Sequence, residues 1–297
     1  MIWRIDTAGA TYYYTISEKG VTITGYDGKK MELHVPGEID GKPVYAIAKK
    51  TFFNTAGLYR IYLPDTLEEI GDWAFAHCRD LEEVYIPRKE YTLGKALFME
   101  CNSLKRICLD DARGFGSLLA AVGGILDAGY LFQTTKVDDE EWLALWDARM
   151  LTILHEDDME GYTKLLLCGE EDYGSKENNL DFFLREKRKR KVRLAFLRLL
   201  YDEKLAEANK QELQNYLKEH TKGCDSEETW LVLKEEHGED MTYIYLFLEL
   251  GCLYLDNYDA VLMDLGEEHP QMKAIFMRYK DETLGGSDFF ESLSLDL

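Results

Sequence analysis

Between residues 47 and 107 the apolar positions keep a fixed period. Ile47, Ile70 and Leu93 are 23 residues apart, as are Phe52, Phe75 and Phe98, then Leu58, Leu81 and Leu104, then Ile61, Val84 and Ile107. Four apolar columns at one period mark stacked units, each too small to bury its apolar side alone. From about Ala112 the rhythm changes. Leu213, Tyr216, Leu217 and His220 fall at i, i+3, i+4 and i+7, as do Met272, Ile275, Phe276 and Tyr279, the stripe of an amphipathic helix. Pro270 after His269 and Ser226 before Glu227-Glu228 are helix-start signals. Helices are predicted at roughly 113–122, 139–154, 158–167, 177–202, 208–220, 227–236, 241–250, 258–266 and 270–281.

The middle unit carries the full phrase, an Ile-Gly, an Ala-Phe, a Cys, a Leu and an Ile-Pro: Ile70-Gly71, Ala74-Phe75, Cys78, Leu81 and Ile86-Pro87. This wording resembles the BspA-like class of leucine-rich repeats found in bacterial proteins, over about residues 20 to 110, and "VTITGYDGKKMELHVPGEIDGKPVYAIAKKTF" (21–52) is similar to that family's entry module. Thr55 replaces the Cys of the first unit, and Asp110 the closing Pro of the last. The resemblance implies one short strand per repeat, stacked into a narrow parallel sheet, and a surface adhesin as the common role.

Val84 and Ile86 alternate with Glu83 and Tyr85, so one pair turns inward and the other outward. Aligning the units gives two outward columns, Glu32, Arg60, Glu83, Arg106 and His34, Tyr62, Tyr85, Cys108. The first is a ladder of alternating charge and the second a mostly aromatic strip. These residues are the candidate binding face, with Tyr62 and Tyr85 as anchors for a peptide or protein loop. The bland alternative is mutual neutralisation of the charges and packing of the rings on one another. A solenoid has open ends, and the stretch Thr11 to Thr24 reads as a hairpin that covers one of them; the chain after Leu109 must cover the other.

In the second half, Leu233, Glu235, Glu236 and His237 match Leu265, Glu267, Glu268 and His269 at a shift of 32. The run from Leu248 to Tyr279 resembles an ankyrin repeat, without its Thr-Pro-Leu-His signature, and paired antiparallel helices are expected.

Composition narrows the classes. The chain has 297 residues, enough for two domains, and a net charge of −21 that opposes general affinity for nucleic acid or anionic membranes and steers a basic partner toward the acidic C-terminal part. The first residues lack the pattern of a secretory signal, and the apolar stretch Gly116 to Leu126 is too short to span a bilayer, so a cytoplasmic location is expected. The six cysteines lack CxxC pairs, and Cys78 and Cys101 hold one slot in successive units, as reduced core thiols.

The candidate chemistry is thin. Glu-Glu-His at 235–237 and 267–269 lacks HExxH and reads as helix-end structure. His220 and Cys224 are separated by a helix-breaking "TKG" with no third group. Gly123-Gly124 and Gly169-Glu170-Glu171 do not make a phosphate loop. The run from Arg185 to Arg193 concentrates positive charge around a helix and is read as a solvated partner of acidic helices after residue 200. The tail "GGSDFFESLSLDL" is undecided between docking on its own helices and presenting a short motif.

The expected fold is α+β: a leucine-rich repeat solenoid with a hairpin cap over 1–111, then an all-α region over 112–297. The expected role is a non-catalytic scaffold for a protein or peptide partner, with no cofactor, no metal, no nucleic acid and no membrane. The alternative is an enzyme or small-molecule sensor with its site in a cleft between the two parts.

Overall fold

The computed structural model describes residues 1–7, 9–110, 115–163 and 179–284. The chain divides into two compact units, 1–152 and 153–297.

The first unit is a β-solenoid. Strands β1 (Trp3–Thr7), β2 (Ala10–Ile16) and β3 (Val21–Gly28) form an antiparallel meander; β3 then runs parallel to β6 (Lys42–Ile47), followed by β8 (Glu69–Ile70) and β10 (Thr92–Leu93), with β5 (Glu38–Ile39) beside β6. The opposite wall is a parallel sheet of β4 (Glu32–His34), β7 (Arg60–Tyr62), β9 (Glu83–Tyr85) and β11 (Arg106–Cys108). Leu33, Ile61, Val84 and Ile107 point inward from this wall and are fully buried.

A stack of rings fills the interior. Phe52 lies 5.3 Å from Phe75, and Phe75 lies 5.2 Å from Phe98, both pairs stacked with nearly parallel planes. Tyr12 and Tyr26 continue this spine on the hairpin side, and Phe132 continues it beyond Phe98. The predicted hairpin therefore closes one end with its own aromatics. At the other end helix α1 (Gly116–Ala121) packs on β11, close enough that a Cβ on Gly116 would lie 2.4 Å from the Ile107 carbonyl oxygen. Helix α2 (Glu140–His155) is tied into the same unit: Trp142 Nε1 donates to Leu131 O at 2.8 Å and Trp146 Nε1 to Leu118 O at 3.1 Å. These anchors carry the first compact unit past residue 111, the boundary expected from the sequence, to residue 152.

The turns are joined by a second ladder that lacks side-chain signals. The N–H of Phe52 donates to Ala74 O at 2.8 Å, and that of Phe75 to Leu97 O at 3.1 Å; Lys50, Asn54, Trp73 and His77 donate likewise to the following turn. Left-handed backbone recurs at the period of 23: Lys50, Trp73 and Ala96, then Asn54, His77 and Glu100, all with φ between 51° and 62°. Glycine is absent from every one of these positions, so the ladder's hydrogen bonds offset a local cost of about 1 kcal/mol each.

In the second unit α3 (Leu180–Leu200) contacts α4 (Glu207–Glu219), α5 (Glu228–His237) and α6 (Met241–Glu249); α7 (Leu255–Leu265) and α8 (Pro270–Tyr279) follow. Residues close to one repeat shift apart touch: Trp230 Nε1 donates to Asp264 Oδ2 at 2.6 Å, Thr221 Oγ1 to Cys252 O at 3.2 Å, and His269 Nδ1 lies 2.8 Å from Glu239 Oε1. Trp230, Phe247 and Phe276 form its aromatic core.

The basic run is not a solvated helix. Lys189 and Lys191 are buried; Lys191 Nζ reaches Asp158 at 2.8 Å and the Glu156 carbonyl, Arg188 reaches Asp158 at 2.7 Å, and Arg193 forks onto Glu236 at 2.7 and 2.8 Å. The acids it meets lie before it, at 156–158, as well as after residue 200. The rest of the predicted helix at 158–167, the first residues of that at 177–202, Cys168, the Gly169-Glu170-Glu171 segment and the tail from 285 lie outside the described residues.

Candidate interaction face

The four short strands set both outward columns in the expected register: Glu32, Arg60, Glu83 and Arg106 are successive partners, and so are His34, Tyr62, Tyr85 and Cys108. Three residues per strand leave one inward side chain between two outward ones, which is why each strand displays one member of each column.

The aromatic column is a true stack. The His34 and Tyr62 rings are 4.1 Å apart at 8°, and Tyr62 and Tyr85 are 4.2 Å apart at 13°. His34 is exposed, and Tyr62 and Tyr85 are half-buried. The charge column closes only at its centre. Arg60 Nε donates to Glu83 Oε2 at 2.9 Å, and the Tyr85 hydroxyl donates to the same oxygen at 3.0 Å. Glu32 turns to the other column, 3.6 Å from His34 Nε2. Arg106 stays exposed. The Glu83 carboxylate and burial together raise the Tyr85 phenol; burial and then Glu32 raise Tyr62, and Glu83 strengthens the charge on Arg60. All three keep their ordinary charge states at neutral pH.

Beside the stack lies a concavity of about 370 Å³ that sequence reasoning missed, lined by Tyr62, Asp65, Tyr85, Pro87, Cys108 and Asp110 among others. The available signal was the break in the last unit: Cys108 and Asp110 stand where earlier units carry a tyrosine and a proline.

A second concavity, about 440 Å³, is confined to the helical unit and lined by Glu156, Asp158, Arg188, Lys191, Tyr216 and His220 among others. Asp158 bridges the two cations there, and the Tyr216 hydroxyl is buried without a hydrogen-bond partner among the described residues. His220 stacks on Tyr216 and contacts its carbonyl oxygen at 2.7 Å, whereas Cys224 donates to Lys218 O, so this pair is not brought together as nucleophile and base. The two Glu-Glu-His segments are likewise used internally: Glu235 pairs with Lys189, Glu236 with Arg193, Glu267 with Lys273, and the His237 ring stacks on Tyr243. Among the described residues no group of three His, Cys, Asp or Glu side chains is arranged to hold a metal ion, and no helix is long and apolar enough to cross a membrane.

No curated protein matches the chain. Among solved structures it is similar to a leucine rich cell surface protein from Faecalibacterium prausnitzii A2-165 (26% identity, 35% of this chain and 29% of that one, TM-score 0.31). It is also similar to a leucine-rich repeat protein from T. pallidum (27% identity, 34% and 63%, TM-score 0.27) and to one from Bacteroides capillosus ATCC 29799 (21% identity, 36% and 98%, TM-score 0.28). The chain thus spans under a third of the first of these proteins and under two thirds of the second. Residues 38–114 match the family described as BspA type leucine rich repeat region, in six copies, and the helical unit lies beyond the matched residues.

Proposed function

We propose that the chain is a non-catalytic protein-interaction scaffold that grips an extended segment of a protein partner on the sheet of β4, β7, β9 and β11. The observation that carries this reading is the half-exposed stack of His34, Tyr62 and Tyr85, flanked by Glu32, Arg60, Glu83 and Arg106 and opening onto a hollow of about 370 Å³. Tyrosines held rigid by stacking and by the Glu83 hydrogen bond lose little entropy on binding, the property that makes aromatic residues effective anchors. The helical unit adds ankyrin-like helix pairs as further binding surface, and the protein acts in the cytoplasm, where buried thiols such as Cys78 and Cys101 stay reduced.

The test is a crosslinking pull-down from lysate of the native cell, comparing wild type with a folded Tyr62→Ala, Tyr85→Ala double variant. A protein captured by the wild type and lost by the variant supports the sheet face. Equal capture moves the site to the helical unit. Recovery of the native protein in the surface fraction would overturn the cytoplasmic assignment.

A further inference from the structure

We propose that the hollow over Cys108 seats an arginine side chain of the partner, its guanidinium stacked on Tyr85 as the next rung of the aromatic column and paired with Asp110. The proposal rests on the reading of this sheet as a binding face and names the chemistry that face recognises.

The strand spacing of about 4.8 Å sets the rungs. The His34, Tyr62 and Tyr85 rings lie over one another at 4.1 and 4.2 Å, so each inner ring face is covered by its neighbour. The register continues to β11, where the partner of Tyr85 is Cys108. A thiol is far smaller than a ring, and among the described residues no ring lies against Tyr85 on that side. The result is the concavity of about 370 Å³, lined by Tyr85, Ile86, Pro87 and Cys108 and by the exposed residues Asp65 and Asp110.

These walls select the occupant. A flat apolar ring would cover Tyr85 and bring no counter-charge to the carboxylates, of which Asp110 accepts the Arg88 backbone N–H at 3.4 Å. An ammonium would answer the carboxylates and gain little from the flat face. A guanidinium is planar, weakly hydrated and always charged, stacks on aromatic faces and binds carboxylates in a fork. Among the described residues the nearby cations are directed elsewhere. Arg88 reaches Asp138 at 2.8 Å, Lys89 donates to the backbone oxygen of Asp65 at 2.6 Å, Arg60 is held by Glu83, and Arg106 stands in the neighbouring charge column. The Tyr85 hydroxyl is fixed on Glu83, so the wall is in place before any partner arrives.

The test titrates the full chain, with its tyrosine rings isotopically labelled, with peptides acetyl-Gly-Gly-Xaa-Gly-Gly-amide in which Xaa is Arg, Lys, citrulline or Phe, following the Tyr85 ring signals. The Arg peptide is expected to shift them saturably in the millimolar range, the others weakly. Asp110→Asn should weaken the Arg peptide about fivefold, and Cys108→Phe, which supplies the missing rung, should abolish its effect at Tyr85. Equal binding by Lys, citrulline or Phe, persistence in Cys108→Phe, or no shift with any peptide would each overturn the arginine seat. Should Cys108→Phe fail to fold, the surface change Asp110→Asn and the peptide series still decide. If all peptides are silent while the Tyr62→Ala, Tyr85→Ala variant loses a captured partner, the seat falls and the face stands. If the Arg peptide binds but capture is unaffected, the seat exists and the face is not the partner's main site.

Discussion

Gly71 lies against the backbone of Lys49 on the preceding turn: a Cβ added to Gly71 would sit 2.5 Å from the Lys49 nitrogen and 2.8 Å from the Ala48 carbonyl carbon. The Gly71 N–H also donates to Ile47 O at 2.8 Å, which holds the two turns at that distance. The Ile-Gly of the repeat is therefore a packing requirement between turns and not a turn signal, because Gly71 is not among the glycines with positive φ. Gly71→Ala is expected to cost about 2–3 kcal/mol by overpacking against main chain that cannot rotate away. Gly123→Ala, where a Cβ meets nothing within 4 Å, is expected to cost nothing measurable. Denaturant melts of the two variants against wild type check the contrast.

The columns that repeat at 23 were legible because each is an apolar or outward position whose spacing survives in the strands. Glu32 to Arg106 and His34 to Cys108 come together in the register that the alignment demands. The hollow beside Tyr85 was not legible, since it arises from what Cys108 and Asp110 fail to fill. Nor was the second hydrogen-bond ladder, because Lys50, Trp73 and Ala96 adopt left-handed backbone with no glycine to announce it. The basic run misled for a related reason: its partners Glu156 and Asp158 are neighbours only after α3 folds back on residues some thirty positions earlier.

Thiol reactivity should follow burial and hydrogen bonding. Cys101 Sγ donates to Phe75 O at 3.1 Å one turn beyond Cys78, whose Sγ donates to Phe52 O at 3.0 Å; the Cys78 thiol and burial push the Cys101 thiol up. Burial pushes Cys252 up to about 12 and raises half-buried Cys108 as well, with Glu83 adding to it. In a Cys168→Ser background, brief iodoacetamide treatment followed by mass spectrometry is expected to label half-exposed Cys224 first and Cys108 more slowly. Cys78, Cys101 and Cys252 should label only after denaturation. Rapid labelling of Cys78 or Cys101 in the folded chain would contradict this core.

The helical unit should weaken in acid through Asp158. Burial pushes this carboxyl up, but Lys191 and Arg188 outweigh burial and hold it below its ordinary value. A depressed folded pKa contributes stability that is fully present above the unfolded value of about 4 and is lost as pH falls through the folded one. Calorimetric melting is therefore expected to drop below about pH 4. Asp158→Asn should lower stability at neutral pH by about 2 kcal/mol, since buried Lys191 loses its counter-charge, and should flatten the acid-side decline. An unchanged acid profile in Asp158→Asn would assign that decline to other carboxylates.

Arg198 is fully buried where α3 ends, and its guanidinium donates to the Tyr201 carbonyl and, through Nη2, to Glu203 O at 3.1 Å. The last carbonyls of a helix and the loop after it lack intrahelical donors, and here a side chain supplies them from inside the core. Replacing it therefore has two consequences. The carbonyls lose their donors, at about 1–3 kcal/mol for each buried group left unmatched, and the volume of the guanidinium is vacated. Arg198→Met fills most of the volume and restores no hydrogen bond, whereas Arg198→Lys keeps the charge and loses the fork. Both are expected to destabilise the helical unit by about 2–4 kcal/mol, with Lys no better than Met, because the fixed geometry of several donors, rather than charge, meets the two carbonyls. Hydrogen exchange read segment by segment would show faster exchange at 196–205 in both variants. Full stability in Arg198→Met would mean that the loop finds water or other donors, and that this arginine serves only to fill space.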